Sequence, residues 1–201
     1  MNGYPKSFKL LLECFQKLPS IGEKTAERMV FAVLAMPEEQ VEEFSSSIVN
    51  VKKNINKCDV CNNLCEDILC EICKNKEQRD QQIICVLEDT KNVILFEKMK
   101  VFNGMYHVIE NLISPLDGKN PGDIDFTKLI NRIEKEKIKE LIIALKPTIE
   151  GQTTMLYISK LLKDKNIIIT KLATGVPIGT DMEYLDALTL EMAIEDRKNV
   201  S

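Results

Sequence analysis

Two Cys-x-x-Cys pairs, Cys58 with Cys61 and Cys70 with Cys73, stand eight residues apart in a short segment that has little apolar periodicity. Such a segment cannot order itself around a hydrophobic core and needs a cross-link. Each pair can aim two thiolates at one point, and two pairs together make the closed tetrahedral site typical of structural Zn²⁺. Because His107 is the single histidine, the spacing predicts a structural zinc ion bound by these four cysteines alone.

The remaining cysteines and the apolar runs bear on the cellular compartment. The chain has seven cysteines, an odd number, and clustered cysteines in a reducing compartment bind metal more often than they form disulfides. Cys65 lies between the two pairs, whereas Cys14 and Cys85 lie in apolar runs and are expected to be buried thiols. No apolar run approaches the ~18 residues of a membrane span, and the first residues lack the apolar core of a signal peptide. We therefore expect a cytoplasmic protein without a membrane partner.

The 201 residues divide into four parts and predict an α/β multidomain chain. Apolar residues at helical spacing dominate the start of the chain, with an interruption at Pro19 and Gly22. From Ile83 onward, short runs of Ile, Val and Leu alternate with helical segments, which indicates a parallel sheet covered on both faces. A last helix is predicted to begin at a cap formed by Asp181. The predicted parts are a helical module (1–57), a four-cysteine finger (58–73), a parallel α/β domain (81–176) and a helical tail (177–201).

A tight turn between the first two predicted helices is a candidate phosphate-binding site. The backbone N–H groups that open the second helix attract phosphate, and Lys24 and Arg28 add positive charge on one face. Contacts of this kind would be insensitive to base sequence. The formal net charge of −4 excludes a protein coated in positive charge, and Glu23 and Glu27 interleave with the basic residues. A plain helical hairpin with solvated charges therefore stays open as the alternative.

Carboxylates follow two of the predicted strands. Glu88 and Asp89 come directly after one strand, and Glu150 lies in the loop after another. Because functional groups gather at the carboxyl ends of parallel strands, these acids are candidates for a magnesium-dependent phosphoryl-transfer site. Three acids without further partners fit solvated loops or helix caps equally well. His107 lies inside an apolar strand run and is expected to be packed rather than catalytic.

The order of these parts resembles the RecR family of bacterial recombination mediators. The resemblance covers nearly the whole chain and is carried by four segments: LPSIGEKTAERMVF (18–31), IICVLED (83–89), EKMKVFNGMYHVIENLISPLDG (97–118) and GVPIGTDMEYLDALTL (175–190). It implies a helix-hairpin-helix, a four-cysteine zinc finger and a Toprim domain. It further implies a homotetrameric ring around DNA that acts with RecO and RecF to load RecA onto single strands coated by single-strand-binding protein.

The resemblance also implies roles for particular residues. Lys24 and Arg28 match the hairpin positions that contact DNA, and the four paired cysteines match the zinc ligands. Glu88, Asp89 and Glu150 match acids of the Toprim domain implicated in partner contacts.

Three departures from the family pattern concern the turn and the acids. Ser20 stands where the hairpin motif usually has glycine, and Gln152 stands where relatives commonly carry a second glutamate. Lys146 and Thr148 occupy the positions at which active Toprim enzymes have a pair of aspartates. A non-catalytic clamp is therefore expected, and the alternative is a Toprim-type magnesium-dependent nuclease or nucleotidyl transferase.

Overall fold

The computed structural model describes residues 3–173, 175–197 and 199. Contacts within the chain separate two compact units, Met1–Ile55 and Asn56–Ser201. No helix in the described ranges is long and apolar enough to cross a membrane.

The first unit consists of three helices, α1 (Lys6–Gln16), α2 (Glu23–Ala35) and α3 (Glu38–Asn54). Its small core joins α1 to α2 through four buried side chains: Phe8, Leu12, Ala26 and Val30. The expectation that Cys14 is a buried thiol is wrong, because that residue lies on the exposed face of α1. Helix α3 has no buried residue, so the apolar side chains that mark it as a helix face outward.

The second unit begins with the cysteine-rich finger. Strands β1 (Asn56–Lys57) and β2 (Leu64–Cys65) pair antiparallel, and the short helix α4 (Glu71–Lys74) follows. A 3₁₀ turn at Lys76–Gln78 then leads into the sheet.

The α/β domain is built on a four-stranded, all-parallel sheet in the order β4-β3-β5-β6, as the alternating pattern predicts. The strands are β3 (Asp80–Leu87), β4 (Gly104–Val108), β5 (Glu140–Ala144) and β6 (Ile168–Lys171), and the helices between them are α5 (Thr90–Met99), α6 (Thr127–Glu136) and α7 (Ile149–Leu161). Apolar clusters cover both faces of the sheet, since strand residues alternate between them. Short 3₁₀ turns at Pro115–Asp117 and Pro121–Asp123 lie between β4 and α6.

The tail carries the last helix, α8 (Ala187–Glu195). The expectation that Asp181 caps this helix is wrong, because a 3₁₀ turn at Met182–Tyr184 intervenes. Asp186 is the cap instead, and its carboxylate accepts a hydrogen bond from the backbone N–H of Thr189 at 2.8 Å. Both positions carry an aspartate, and only the path of the chain selects between them.

Candidate functional site

The four paired cysteines converge on one point inside the finger. Their sulfur atoms all lie within 4.8 Å of one another, and the Sγ atoms of Cys61 and Cys70 are 3.5 Å apart. All four residues are buried. A tetrahedron with the usual Zn–S bond of ~2.3 Å has sulfur–sulfur edges of about 3.8 Å. The donor set and its size therefore fit a tetrahedral metal ion, and Cys65 is outside it because its Sγ contacts the carbonyl oxygen of Asp67.

Local backbone hydrogen bonds form the two turns that aim these sulfurs. In the first turn, Asn62 N–H donates to the carbonyl of Cys58, and Cys58 N–H donates to the carbonyl of Asn63 at 2.7 Å. Asn62 has φ +60°, in the left-handed region that asparagine tolerates better than most residues. In the second turn, Lys74 N–H donates to the carbonyl of Cys70 as α4 begins.

Electrostatics inside the cluster favours a cation. The hydrogen bond between the two closest thiols lowers the pKa of Cys70 and raises the pKa of Cys61. Without a positive ion, one thiolate therefore suppresses the ionisation of its neighbour. A divalent metal removes that repulsion and lets all four sulfurs act as thiolates.

The finger is bonded to the edge of the sheet, a contact that the sequence analysis missed. Val108 N–H, at the end of β4, donates to the carbonyl of Cys61 at 2.8 Å, and the side-chain amide of Asn62 returns a bond to the Val108 carbonyl at 2.9 Å. Lys128 on α6 donates to Asn62 Oδ1 at 2.8 Å. We call these three hydrogen bonds the clamp on β4. Because β4 is an edge strand, they pair backbone groups that would otherwise lack a hydrogen-bond partner in the sheet. Spacing within the motif carries no signal for contacts so distant in sequence.

The hairpin of the first unit presents Lys24 and Arg28 to solvent. Both side chains are exposed on α2, and neither is in an ion pair within the described ranges. Gly22 precedes the helix and no side chain caps its first N–H groups. The nearby acid Glu27 accepts a hydrogen bond from the Tyr4 hydroxyl, which raises the pKa of Tyr4. The helix start thus lies in an open concavity that is lined by Lys24 and by the acids Glu23 and Glu27, with Arg28 one turn further along the helix.

Ser20 carries backbone strain at the hairpin turn. Its φ is +65°, in the left-handed region that glycine adopts at no steric cost. Ser20 therefore adopts a backbone conformation that glycine would adopt with less strain.

The three candidate carboxylates do not assemble. Glu88 is bound by the ammonium group of Lys146, and the side chain of Glu88 is only 15% exposed. Asp89 caps α5 by accepting from the N–H of Lys91 at 2.9 Å. Glu150 lies half-buried in the first turn of α7. Among the described residues, only the four cysteines form a group able to hold a metal ion.

The residues that replace the aspartate pair have structural uses. Lys146 neutralises Glu88, and the hydrogen bond raises the pKa of Lys146. Thr148 caps α7, with its hydroxyl oxygen accepting from Gly151 N–H at 3.2 Å. Gly151 is required because a Cβ there would lie 1.9 Å from the carbonyl oxygen of Lys146. The carboxylate that would begin a magnesium site is thus bound by a lysine through one oxygen, while its buried second oxygen, Glu88 Oε2, has no hydrogen-bond partner among the described atoms.

His107 is packed, as its apolar surroundings predict. It lies in β4, 2% exposed, and its Nδ1 has no hydrogen-bond partner among the described atoms. Burial, together with the positive charges of Arg132 and Lys128, lowers its pKa to about 3. The imidazole is therefore neutral at physiological pH.

Comparisons with known proteins agree with the order of these parts. Residues 8–52 match the family described as RecR, helix-hairpin-helix, residues 82–173 match the Toprim domain, and residues 175–198 match RecR, C-terminal. Recombination protein RecR of Staphylococcus saprophyticus is 46% identical over 194 residues, which cover 96% of this chain and 98% of that protein. Recombination protein RecR of Staphylococcus haemolyticus matches with the same identity and coverage. Since the likeness extends over nearly the full length of both relatives, the chain belongs to the RecR family of recombination proteins.

Proposed function

We propose that the chain is a non-catalytic DNA clamp and adaptor in recombinational repair. It acts with RecO and RecF in the cytoplasm and helps to load RecA onto single-stranded DNA coated by single-strand-binding protein. The hairpin holds the DNA backbone, the finger holds a structural zinc ion, and the acids of the Toprim domain meet partner proteins.

The observation that carries this proposal is the pair of free cations beside an open helix start. Lys24 and Arg28 are exposed, unpaired in the described part of the chain and next to uncapped N–H groups. Such a surface binds phosphate groups irrespective of base sequence. Of the two acids beside them, Glu27 accepts a hydrogen bond from Tyr4, and Glu23 is exposed.

The buried cysteine cluster supports structural rather than catalytic zinc. Four cysteine ligands leave no open coordination position for substrate or water. The cluster is continuous with the apolar core beneath the sheet, so the metal would stabilise the domain as well as the finger.

A non-catalytic Toprim domain is supported by the use of its acids. Lys146 neutralises Glu88, and Asp89 caps a helix, so these groups do not converge on a metal. Asp89 is exposed at the start of α5, after β3, and Glu150 is half-buried in the first turn of α7, after β5. Acids so placed offer a negative surface to a basic partner.

Self-association into a homotetrameric ring is supported by uncovered apolar surface on the first unit. The side chains more than half exposed there include Leu10, Leu18, Phe31, Leu34, Ile48 and Val51. Exposed apolar side chains in such number mark interaction surfaces. A ring would also let several weak phosphate-binding patches act together on one DNA.

Lys24→Ala and Arg28→Ala test the DNA-binding role. We expect weaker binding to DNA of any sequence, with a slope of log affinity against log salt that falls by about 0.7 per lost contact on single strands. Lys52→Ala, an exposed lysine on α3 of the same unit, is the matched control. Unchanged affinity and salt slope in both variants would remove the hairpin from the DNA interface.

Incubation with magnesium and labelled DNA tests the absence of catalysis. We expect no cleavage by the full-length chain. Cleavage that Glu88→Gln abolishes would establish the nuclease alternative, and mass measurement with and without DNA would show whether a ring forms at all.

A further inference from the structure

We propose that the edge of the sheet at which the strands begin carries a second binding surface for the phosphate backbone of nucleic acid. This basic edge consists of Lys135, Lys137, Lys139 and Lys163. This inference rests on the proposed function only in that the ligand is again nucleic acid. The two surfaces are separate, because the basic edge lies in the second unit and the hairpin lies in the first.

The topology of the domain brings these lysines together. Lys135 lies in the last turn of α6, Lys137 ends that helix, and Lys139 directly precedes β5. Lys163 lies in the turn between α7 and β6.

Two contacts join these segments at one place. Lys165 of the α7–β6 turn forms an ion pair with Glu134 in the last turn of α6. The carbonyl of Lys139 accepts from Ile168 N–H, at the start of β6, at 2.8 Å. The ends of two helices and the beginnings of two strands therefore meet at the basic edge.

Two of the acids near the basic edge are in ion pairs, Glu134 with Lys165 and Glu136 with Arg132 at 3.0 Å. Glu140 accepts from the hydroxyl of Thr170 at 2.9 Å and keeps its charge. Asp164 in the α7–β6 turn and Asp80 at the start of β3 are exposed acids.

The four lysines are left with their charges uncompensated by direct contact. All are exposed, and none forms an ion pair within the described residues. A positive surface thus persists in a chain whose formal net charge is −4.

Stabilisation of helix ends accounts for only part of this arrangement. Lysines at a helix C-terminus interact favourably with the helix dipole, which explains Lys135. Lys137, however, has φ +54°, where glycine or asparagine would be less strained. Lys139 and Lys163 lie outside the helices altogether. Stabilisation of helix ends therefore does not account for Lys139 and Lys163.

The chemistry of the surface identifies the class of ligand. Ammonium groups on flexible stems bind phosphates as point charges and read no base sequence. The expected ligand is accordingly the phosphate backbone of a nucleic acid, and binding should weaken steeply with salt.

The test compares two double variants of the full-length chain. Lys137→Gly with Lys139→Gln removes two charges from the basic edge, and the glycine suits the left-handed position. Lys91→Gln with Lys119→Gln removes two exposed lysines that form no ion pair in the described residues and lie away from this edge, at the start of α5 and in the β4–α6 loop. Binding of a dye-labelled oligothymidine is measured across a salt series.

We expect the basic-edge variant to bind roughly 10- to 30-fold more weakly at about 0.1 M salt, with a salt slope smaller by about 1.4. The control pair should bind as the unchanged protein does. Thermal unfolding of both variants shows whether weaker binding reflects lost contacts or altered folding. A second basic-edge variant, Lys137→Gln with Lys139→Gln, removes the same charges without introducing glycine.

An affinity and a slope equal to those of the control would overturn this inference. The inference would also be overturned if the basic-edge variant lost binding to an acidic peptide such as polyglutamate but bound nucleic acid unchanged, since the edge would then be a protein-binding surface. Lys24→Ala with Arg28→Ala on the same probe separates the two proposals. If only that variant loses binding, the hairpin role holds and the basic edge does not, and the reverse result removes the hairpin role alone.

Discussion

The finger and the hairpin are both defined by short motifs, but the functional groups of the finger are buried and those of the hairpin are exposed to solvent. In the finger, the four sulfurs are buried, and the surrounding amides and carbonyls bind β4 and α6. In the hairpin, Lys24 and Arg28 are exposed and unpaired in the described part of the chain. The first arrangement contributes to folding because its groups satisfy one another. The second leaves its groups available to a ligand.

This difference decides what a substitution should change. A group that is satisfied inside the protein costs stability when it is removed, since its partners stay buried without a bond. An exposed charge costs little stability and changes binding instead. Substitutions in the finger should therefore alter unfolding, and those in the hairpin should alter affinity for DNA.

The largest effect is expected from loss of a cysteine of the cluster. Cys61→Ser should abolish stoichiometric metal binding and destabilise the second unit by about 3 kcal/mol or more, because the finger then has no cross-link. Metal analysis and urea unfolding measure the two quantities. Cys65→Ser, outside the cluster, is the control and should change stability by less than about 0.5 kcal/mol. Full metal content and unchanged stability in Cys61→Ser would contradict the view that the buried cysteine cluster binds a metal and stabilises the fold.

The clamp on β4 should have the next largest effect. Asn62→Ala removes the bonds to Val108 and Lys128 and places alanine at φ +60°, so a loss of about 2–3 kcal/mol is expected. Asn62→Gly keeps the turn conformation and loses only the side-chain bonds. Urea unfolding should rank glycine between asparagine and alanine. Equal stability of all three proteins would show that the clamp does not hold the finger.

Acid should weaken the strand to which the finger is bonded. The pKa of His107 is about 3 in the folded protein, below its ordinary value of ~6.5, because the imidazole is buried. The unfolded chain therefore takes up the proton first as pH falls. Stability should drop by about 1 kcal/mol from this group between pH 6.5 and 5.5, and it should change little through this group above about pH 7.5. In His107→Gln, the free energy of unfolding measured with urea should fall less over this pH range. If the variant and the unchanged protein had the same pH dependence, His107 would not be the group responsible.

The smallest effect is expected in the hairpin and has the opposite sign. Ser20→Gly should stabilise the first unit by about 0.5–1 kcal/mol, since relief of strain exceeds the added flexibility of the unfolded chain. Thermal unfolding measures the gain. DNA affinity should stay unchanged, because the contacts are assigned to α2. A destabilised protein would mean that the serine side chain has a role at this turn.

Prediction from the sequence succeeded where the pattern was local. Two spaced cysteine pairs indicated one cluster, and alternating apolar runs indicated a parallel α/β domain. Both depend on neighbours within a few residues, so spacing alone is informative. Two expectations were wrong. Cys14 is exposed, because the apolar run around it is a helix with only one face on the core. Asp186 rather than Asp181 caps α8, because the path of the chain decides which of two aspartates precedes the helix.

The sequence by itself determined which groups can react or bind: four thiols at ligand spacing, two cations at a helix start, and three acids after strands. Only the tertiary structure decided which of them meet. It brought the thiols together, set Lys146 on Glu88 so that the acids do not gather, and bonded the finger to β4 through Asn62. Contacts between residues far apart in the chain depend on packing and register, and no short motif encodes them.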